Sequence, residues 1–221
     1  MKTIQINKLI VASLVAFLLS ACASSKDYLS ESFTNVRNNH KRIAILPFGV
    51  QFQNPGERTS SKQKNAFPQN QFGKREQEAS LDAQKEFFVD VAKQVEKGRY
   101  EIAFQDFNRT NKVLSENGIR LEDIPRQNKA DLAKLLGVDA VLFGELVIKV
   151  TQMNNRIGPM MPTYRYDDGV ETDIKLFDAN SGEMLWSTSL SQRPNNRMDT
   201  PHQLSSSLIN QVAKNLPYRN K

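Results

Sequence analysis

The chain has 221 residues, with 30 lysines and arginines against 24 aspartates and glutamates, two histidines, one cysteine and a formal net charge of +6. That length suffices for one domain with a proper core, and a single cysteine excludes any disulfide within the chain. A surplus of positive charge would point a cytoplasmic protein toward nucleic acid, so the compartment decides what the charge means.

The amino end supplies the compartment. Lys2 and Lys8 make a positive start, and Leu9 to Leu19 is an apolar run without a charge. It is too short for the roughly 20 residues of a spanning helix and has the make-up of a secretory signal. Leu19-Ser20-Ala21-Cys22 follows: a branched apolar residue, two small residues that let a peptidase reach the bond, and the sole cysteine, a nucleophile able to take up a diacylglyceryl group. This stretch resembles the lipobox of bacterial lipoproteins. The resemblance implies a signal peptide over 1–21, cleavage between Ala21 and Cys22, and lipidation of Cys22, palmitate included. Ala23 stands where an Asp would commonly hold such a protein in the inner membrane, which implies the cell outer membrane, with most of the chain facing the periplasm. Losing Lys2 and Lys8 lowers the net charge from +6 to +4. That compartment removes nucleic acid as a partner. It leaves a solvated basic surface, or weak contact with anionic cell wall or lipid. With Cys22 acylated, no thiol remains for catalysis.

Residues 22–40 read as the lipidated terminus and a small, polar tether, whose 17 residues from Ala23 to Asn39 would reach at most about 60 Å when extended. Residues 41–221 read as a single domain. Ile43 to Leu46 is a near-continuous apolar run, the mark of a strand covered on both faces, ended by Pro47. Residues 51–78 read as a long polar insertion without a clear period. Phe52, Phe67 and Phe72 punctuate it, as pins to the domain or as a binding surface. Lys62, Lys64, Lys74 and Arg75 make it basic, either as a solvated loop or as a contact for anionic wall or lipid.

Ala79 to Lys97 has helical spacing in Leu81, Phe88, Val91, Ala92 and Val95, with Gly98 as a stop. Tyr100 to Phe104 is strand-like. Asp106 caps a helix running to about Asn117, closed by Gly118. A third helix covers Asn128 to Leu136 and stops at Gly137. Ala140 to Val150 is a second apolar strand whose polar residues, Glu145 and Lys149, come late, so one end is more exposed. A loop with Met153, Met160 and Met161 follows. Val170 to Asp178 alternates, Asn180-Ser181-Gly182 turns the chain, and Met184 to Leu190 returns. His202 to Leu216 is a closing helix. The pattern predicts an α/β (α+β) fold: a mixed sheet of four or five strands with helices packed on it, a C-terminal β-meander and the closing helix.

The search for chemistry finds none. His40 and His202 lie in no H-E-x-x-H arrangement and read as surface residues. There is no G-x-S-x-G elbow and no phosphate-binding loop. Asp167, Asp168, Glu171 and Asp173 gather near a strand start without calcium-loop spacing, as a solvated turn does. Glu145 reads as exposed or paired. No catalytic residue, metal or cofactor is expected, and the chain reads as a non-enzyme.

Three stretches carry a family likeness: RIAILPF at 42–48, LAKLLGVDAVLFGELV at 132–147 and IKLFDANSGEMLWSTSL at 174–190. They resemble envelope lipoproteins whose domain is like the TolB amino-terminal domain, among them curli-secretion-channel lipoproteins and penicillin-binding-protein activator lipoproteins. Residues 100–124 are most similar to the surface-antigen lipoproteins of that group. The Asp178, Gly182, Trp186 turn also recurs in β-propeller blades, but it occurs once here, where a propeller needs repeats. The resemblance implies a protein-binding assembly component of a cell-envelope complex, anchored to the outer membrane by lipid and partnered by envelope proteins, with self-association as a further mode. The alternatives are a curli-channel-like secretion pore subunit and an activator of a peptidoglycan synthase. Candidate interaction loops carry Phe52, Phe67, Phe72, Lys74, Arg75, Met160 and Met161.

Overall fold

The computed structural model describes residues 26–53, 69–149, 151–153, 163–165, 169–195 and 199–220. In chain order the strands are β1 (Lys26–Leu29), β2 (Arg42–Ile45), β3 (Gly49–Gln53), β4 (Ala103–Phe104), β5 (Ala140–Lys149), β6 (Thr151–Met153), β7 (Thr163–Arg165), β8 (Val170–Asp178) and β9 (Met184–Gln192). The helices are α1 (Phe33–Val36), α2 (Gln69–Glu96), α3 (Phe107–Glu116), α4 (Lys129–Leu136) and α5 (Pro201–Ala213). Seven strands form one mixed sheet in the order β1-β9-β8-β5-β2-β4, with β3 also on β5, and β6 and β7 pair separately. The mixed α+β architecture matches the sequence reading. The strand count exceeds it by β1, a short edge strand, and β3, which continues the line of β2 along β5.

β2 and β3 are one strand interrupted. Both run parallel to β5, pairing Ile45 with Leu142 and then Gly49 with Glu145. The first strand advances one residue more than its partner over that interval, which is a bulge, and Pro47, with no amide hydrogen, sits inside it. The bulge drives Phe48 onto β5 at Gly144, where an added Cβ would lie 2.1 Å from the Phe48 ring. A glycine in mid-strand is therefore required by close approach.

β5 shows why its sequence begins apolar and ends alternating. Its first half is covered on both faces and its second half on one. Leu142, Leu146 and Ile148 point into a core with Ile43, Phe87 and Ile209, beneath α2 and α5. Val141 and Phe143 point into a second core with Leu114, Leu132 and Leu136, beneath α3 and α4. Beyond Phe143 the second cover ends, and Glu145 and Lys149 meet solvent-side partners on β8: Glu145 pairs with Lys175 at 3.3 Å, and Lys149 with Glu171.

The helix ends follow local rules. Asp106 accepts hydrogen bonds from the amides of Asn108 and Arg109 (2.9 and 3.2 Å), and Asn128 caps α4 in the same way. Gly137 closes α4 at φ +65°, a left-handed position that suits glycine. α5 opens with Pro201 behind a capping box of Thr200 and Gln203.

Two sequence readings are corrected. Residues 26–40 are not a free tether: β1 pairs antiparallel with β9, and Phe33 is buried in the first core. The stretch 51–78 is not wholly loop: β3 runs to Gln53, and α2 begins at Gln69, ten residues before the expected start. From Gly73 to Glu78 this helix buries no side chain, so it has no apolar stripe for a periodicity search to find. Glutamine, lysine and glutamate still favour helix.

Candidate functional site

The strand registers gather the chain's ends and turns at two poles of the sheet. Pairing Asp178 with Ala140, and Trp186 with Leu29, puts the starts of β5, β9 and β2 with the ends of β8 and β1. This pole is closed by polar side chains. His40 is 8% exposed rather than on the surface as its place in the tether suggested. Its Nε2 lies 2.8 Å from Asp178 Oδ1 and its Nδ1 contacts the Tyr218 hydroxyl. The second Asp178 oxygen accepts from the amides of Asn180 and Ser181 and from the Ser181 hydroxyl (2.9, 2.6 and 2.9 Å). Burial alone would raise the Asp178 carboxyl, but its hydrogen bonds from Ser181, His40 and Asn180 outweigh that and hold it below its ordinary value. Burial pushes the Tyr218 hydroxyl well up. Beside them Asp139 accepts from the amides of Lys41 and Arg42 (2.7 and 2.9 Å), and Glu183 accepts from Ser30. Every partner is satisfied within the chain, which is how a structural staple differs from a reactive site.

The opposite pole is open. It carries the start of β1, the ends of β3, β5 and β9, and the first turns of α2 and α5. A groove of about 390 Å³ runs here between the two helices and the sheet, within the range of ligand pockets. Phe52, Leu146, Ile148 and Ile209 give it apolar walls. Glu78, Asp82 and Glu86, one helical turn apart on α2, share its rim with Arg75 of the same helix and His202 of α5. His202 Nε2 lies 3.0 Å from Glu86 Oε1, and the Ser206 hydroxyl donates to Glu86 Oε2 at 2.7 Å. The rim has three carboxylates to one guanidinium, in a chain whose net charge is +6. Geometry suited to cationic, amphipathic matter follows from that contrast.

Of the residues singled out in the sequence, Phe52 and Arg75 meet in this groove. Lys74 is exposed on the next position of α2, 3.9 Å from Glu78. Phe72 falls within the α2 backbone. Ala21, Cys22, Phe67, Met160 and Met161 lie outside the described residues. Asp82, Glu86 and Thr200 join the groove without a motif in the sequence to mark them. The four-residue spacing of Glu78, Asp82 and Glu86 is the signal for the two acids, and it is complete only on a helix that begins before Ala79. Among the described residues no cluster of three or more metal-ligating side chains occurs, and no helix is long and apolar enough to cross a membrane.

No protein-family model and no curated protein matches the sequence. Solved structures do. Lipoprotein GNA1162 from Neisseria meningitidis is 17% identical, with a TM-score of 0.39, over 79% of this chain and 98% of that one. A PelC dodecamer from Paraburkholderia phytofirmans is 11% identical, with a TM-score of 0.41, over 86% and 96%. The LpoB C-terminal domain from Salmonella enterica is 9% identical, with a TM-score of 0.34, over 70% and 84%. The first is described as a lipoprotein.

Proposed function

We propose that this chain is a lipoprotein of the bacterial outer membrane that works by binding other envelope proteins and performs no chemistry of its own. The observation that carries this reading is the lipobox ending at Cys22, four residues before the first strand of a body whose open pole holds an apolar, acid-rimmed groove. The groove takes a positively charged amphipathic segment of a partner: the walls bury its apolar side, and Glu78, Asp82 and Glu86 meet its cations. Self-association is a second mode of contact.

Two rivals fit less well. A pore subunit needs spanning strands of about 9–11 residues with alternating apolar side chains; the sequence of 51–78 lacks that alternation, and 152–168 is too short and irregular for two such strands. A synthase activator must reach across the periplasm, and a body that begins at Lys26 leaves less leash than the tether reading allowed.

The test is a photoreactive residue placed at Arg75 or Asp82 in cells making the full-length protein, with mass spectrometry of the mature amino end. Expected are an acylated Cys22 and a discrete adduct to an envelope protein. A mature protein with an acylated Cys22 that crosslinks to nothing at either position would defeat the protein-binding reading while leaving the anchor intact.

A further inference from the structure

The edge strand β1 is where the anchor and the body meet. Only Ala23, Ser24 and Ser25 separate Cys22 from Lys26. Four residue steps span at most about 14 Å, so a lipid on Cys22 leaves the start of β1 at the bilayer surface. Nothing in the described structure covers the outer side of this strand: β1 is the terminal strand of the sheet, paired only with β9. It also carries the two most exposed large apolar side chains among those described, Tyr28 at 47% and Leu29 at 54%. Strand alternation sends them to opposite faces of the sheet, so no single flat partner on one face covers both. A surface that meets the sheet edge-on does.

We propose that the β1 edge is a membrane-contact surface, seated on the phospholipid leaflet that holds the Cys22 anchor, with Tyr28 and Leu29 buried at the headgroup level. This rests on the anchored reading given above. The length of chain decides between lipid and protein as the occupant. A tether of about 20 flexible residues would let the body sample roughly 25 Å of height, and the edge could serve any partner. Three intervening residues hold it against lipid at all times. Tyrosine suits that position, its ring apolar and its hydroxyl wet, and the hydrated headgroup zone can satisfy the free backbone groups of an edge strand, which the hydrocarbon core cannot. A consequence follows for the groove: its pole lies next to the membrane, so the segment it takes belongs to a partner that is also membrane-proximal.

The sole tryptophan provides the readout. Trp186 pairs with Leu29 across β1 and β9 and is 6% exposed. The acylated mature protein is reconstituted in phosphatidylethanolamine–phosphatidylglycerol vesicles carrying brominated acyl chains, which quench indole emission at short range. Expected is a loss of Trp186 emission that is abolished in two variants: Tyr28→Ser with Leu29→Ser, and an insertion of about 20 Gly and Ser residues after Cys22. The insertion leaves every residue of the fold in place, so it answers the question even if the double substitution unfolds. Vesicle-bound, acylated protein that is not quenched, or is quenched equally in the insertion variant, overturns the seat. So does a β1-to-β1 crosslink between copies in the same vesicles, which would make the occupant a protein. An unacylated Cys22 in the purified product, with failure to float with vesicles, sinks the anchor reading and this proposal with it, and mass spectrometry tells that outcome from the others.

Discussion

At one pole of the sheet, the buried His40 bonds both Asp178 and Tyr218, and segments from the start, middle and end of the chain meet there. At the other, Glu78, Asp82 and Glu86 line a groove of apolar walls and their partners lie at the surface. Both poles are rich in carboxylates, so composition does not separate them. What separates them is satisfaction. Asp178 spends its oxygens on four groups of its own chain, which fixes geometry. A groove rim whose charges are met by water or by exposed neighbours keeps its electrostatic potential for a partner. The first arrangement holds the terminal segments against the sheet, and the second leaves its rim at the surface.

The sharpest way to break this contrast is Asp178→Ala. It leaves His40, the Asn180 and Ser181 amides and the Ser181 hydroxyl without their acceptor. Several unsatisfied groups at about 1 kcal/mol or more each predict a loss of about 3 kcal/mol, read as a lower urea midpoint at unchanged slope. Tyr218→Phe removes one hydroxyl that serves His40 and should cost about 1–2 kcal/mol. Equal, negligible losses for both would mean the closed pole staples nothing.

Next in size is a substitution outside both poles. Gly144→Ala places a methyl group against the Phe48 ring, and overpacking of this kind costs about 1–3 kcal/mol. The companion change Phe48→Leu should restore part of the loss in the Gly144→Ala background, a coupling that a double-mutant cycle measures. Independent effects would mean that the β2–β3 bulge does not press on β5 as described.

Acid gives a third handle. The Asp178 carboxyl is held below its ordinary value, with Ser181, His40 and Asn180 outweighing burial. Glu183 is likewise lowered by hydrogen bonds from Ser30 and Ser32. A carboxyl depressed on folding contributes stability that is present above the unfolded pKa and is lost as pH falls through the folded one. Both groups therefore stabilise fully above about pH 5 and lose their contribution below about pH 4. Hydrogen exchange at falling pH should show residues 26–40 opening before α2 and α5. Simultaneous opening of all three would show that the closed pole is no weak point.

The two poles also differ in how far the sequence revealed them. Caps and stops were legible because they are local: Asp106, Asn128 and Gly137 act on amides and carbonyls within a turn of themselves. The half-covered β5 was legible because burial writes directly into its apolar pattern. His40 was misread because its partners stand 138 and 178 residues away, and nothing near it in sequence marks it as buried. β1 was misread because a four-residue edge strand leaves little periodic signal; Phe33, with Val36 beside it, ties that segment to the core. The groove was half legible. Phe52 and Arg75 were picked for their types, whereas the acidic rim needed the helix to begin at Gln69.

That rim gives the smallest effect on stability and the clearest separation of the poles. Glu78 and Asp82 lie on the solvent side of α2, and replacing them with Gln and Asn keeps shape while removing two charges. Surface changes of this kind stay within about 0.5 kcal/mol, so the urea midpoint should not move. Binding should move. Two rim pairs at up to roughly 0.5 kcal/mol each weaken capture of a cationic partner by about fivefold, mostly through the association rate. The salt dependence separates this from a trivial loss: at about 1 M ionic strength the Debye length shrinks to roughly 3 Å, and wild type and variant should converge. Crosslinking yield from position 75, read at low and high salt in both proteins, measures it. A variant that binds as well as wild type at low salt would return the groove to the same standing as the His40 pole, a feature of the fold with no partner to meet.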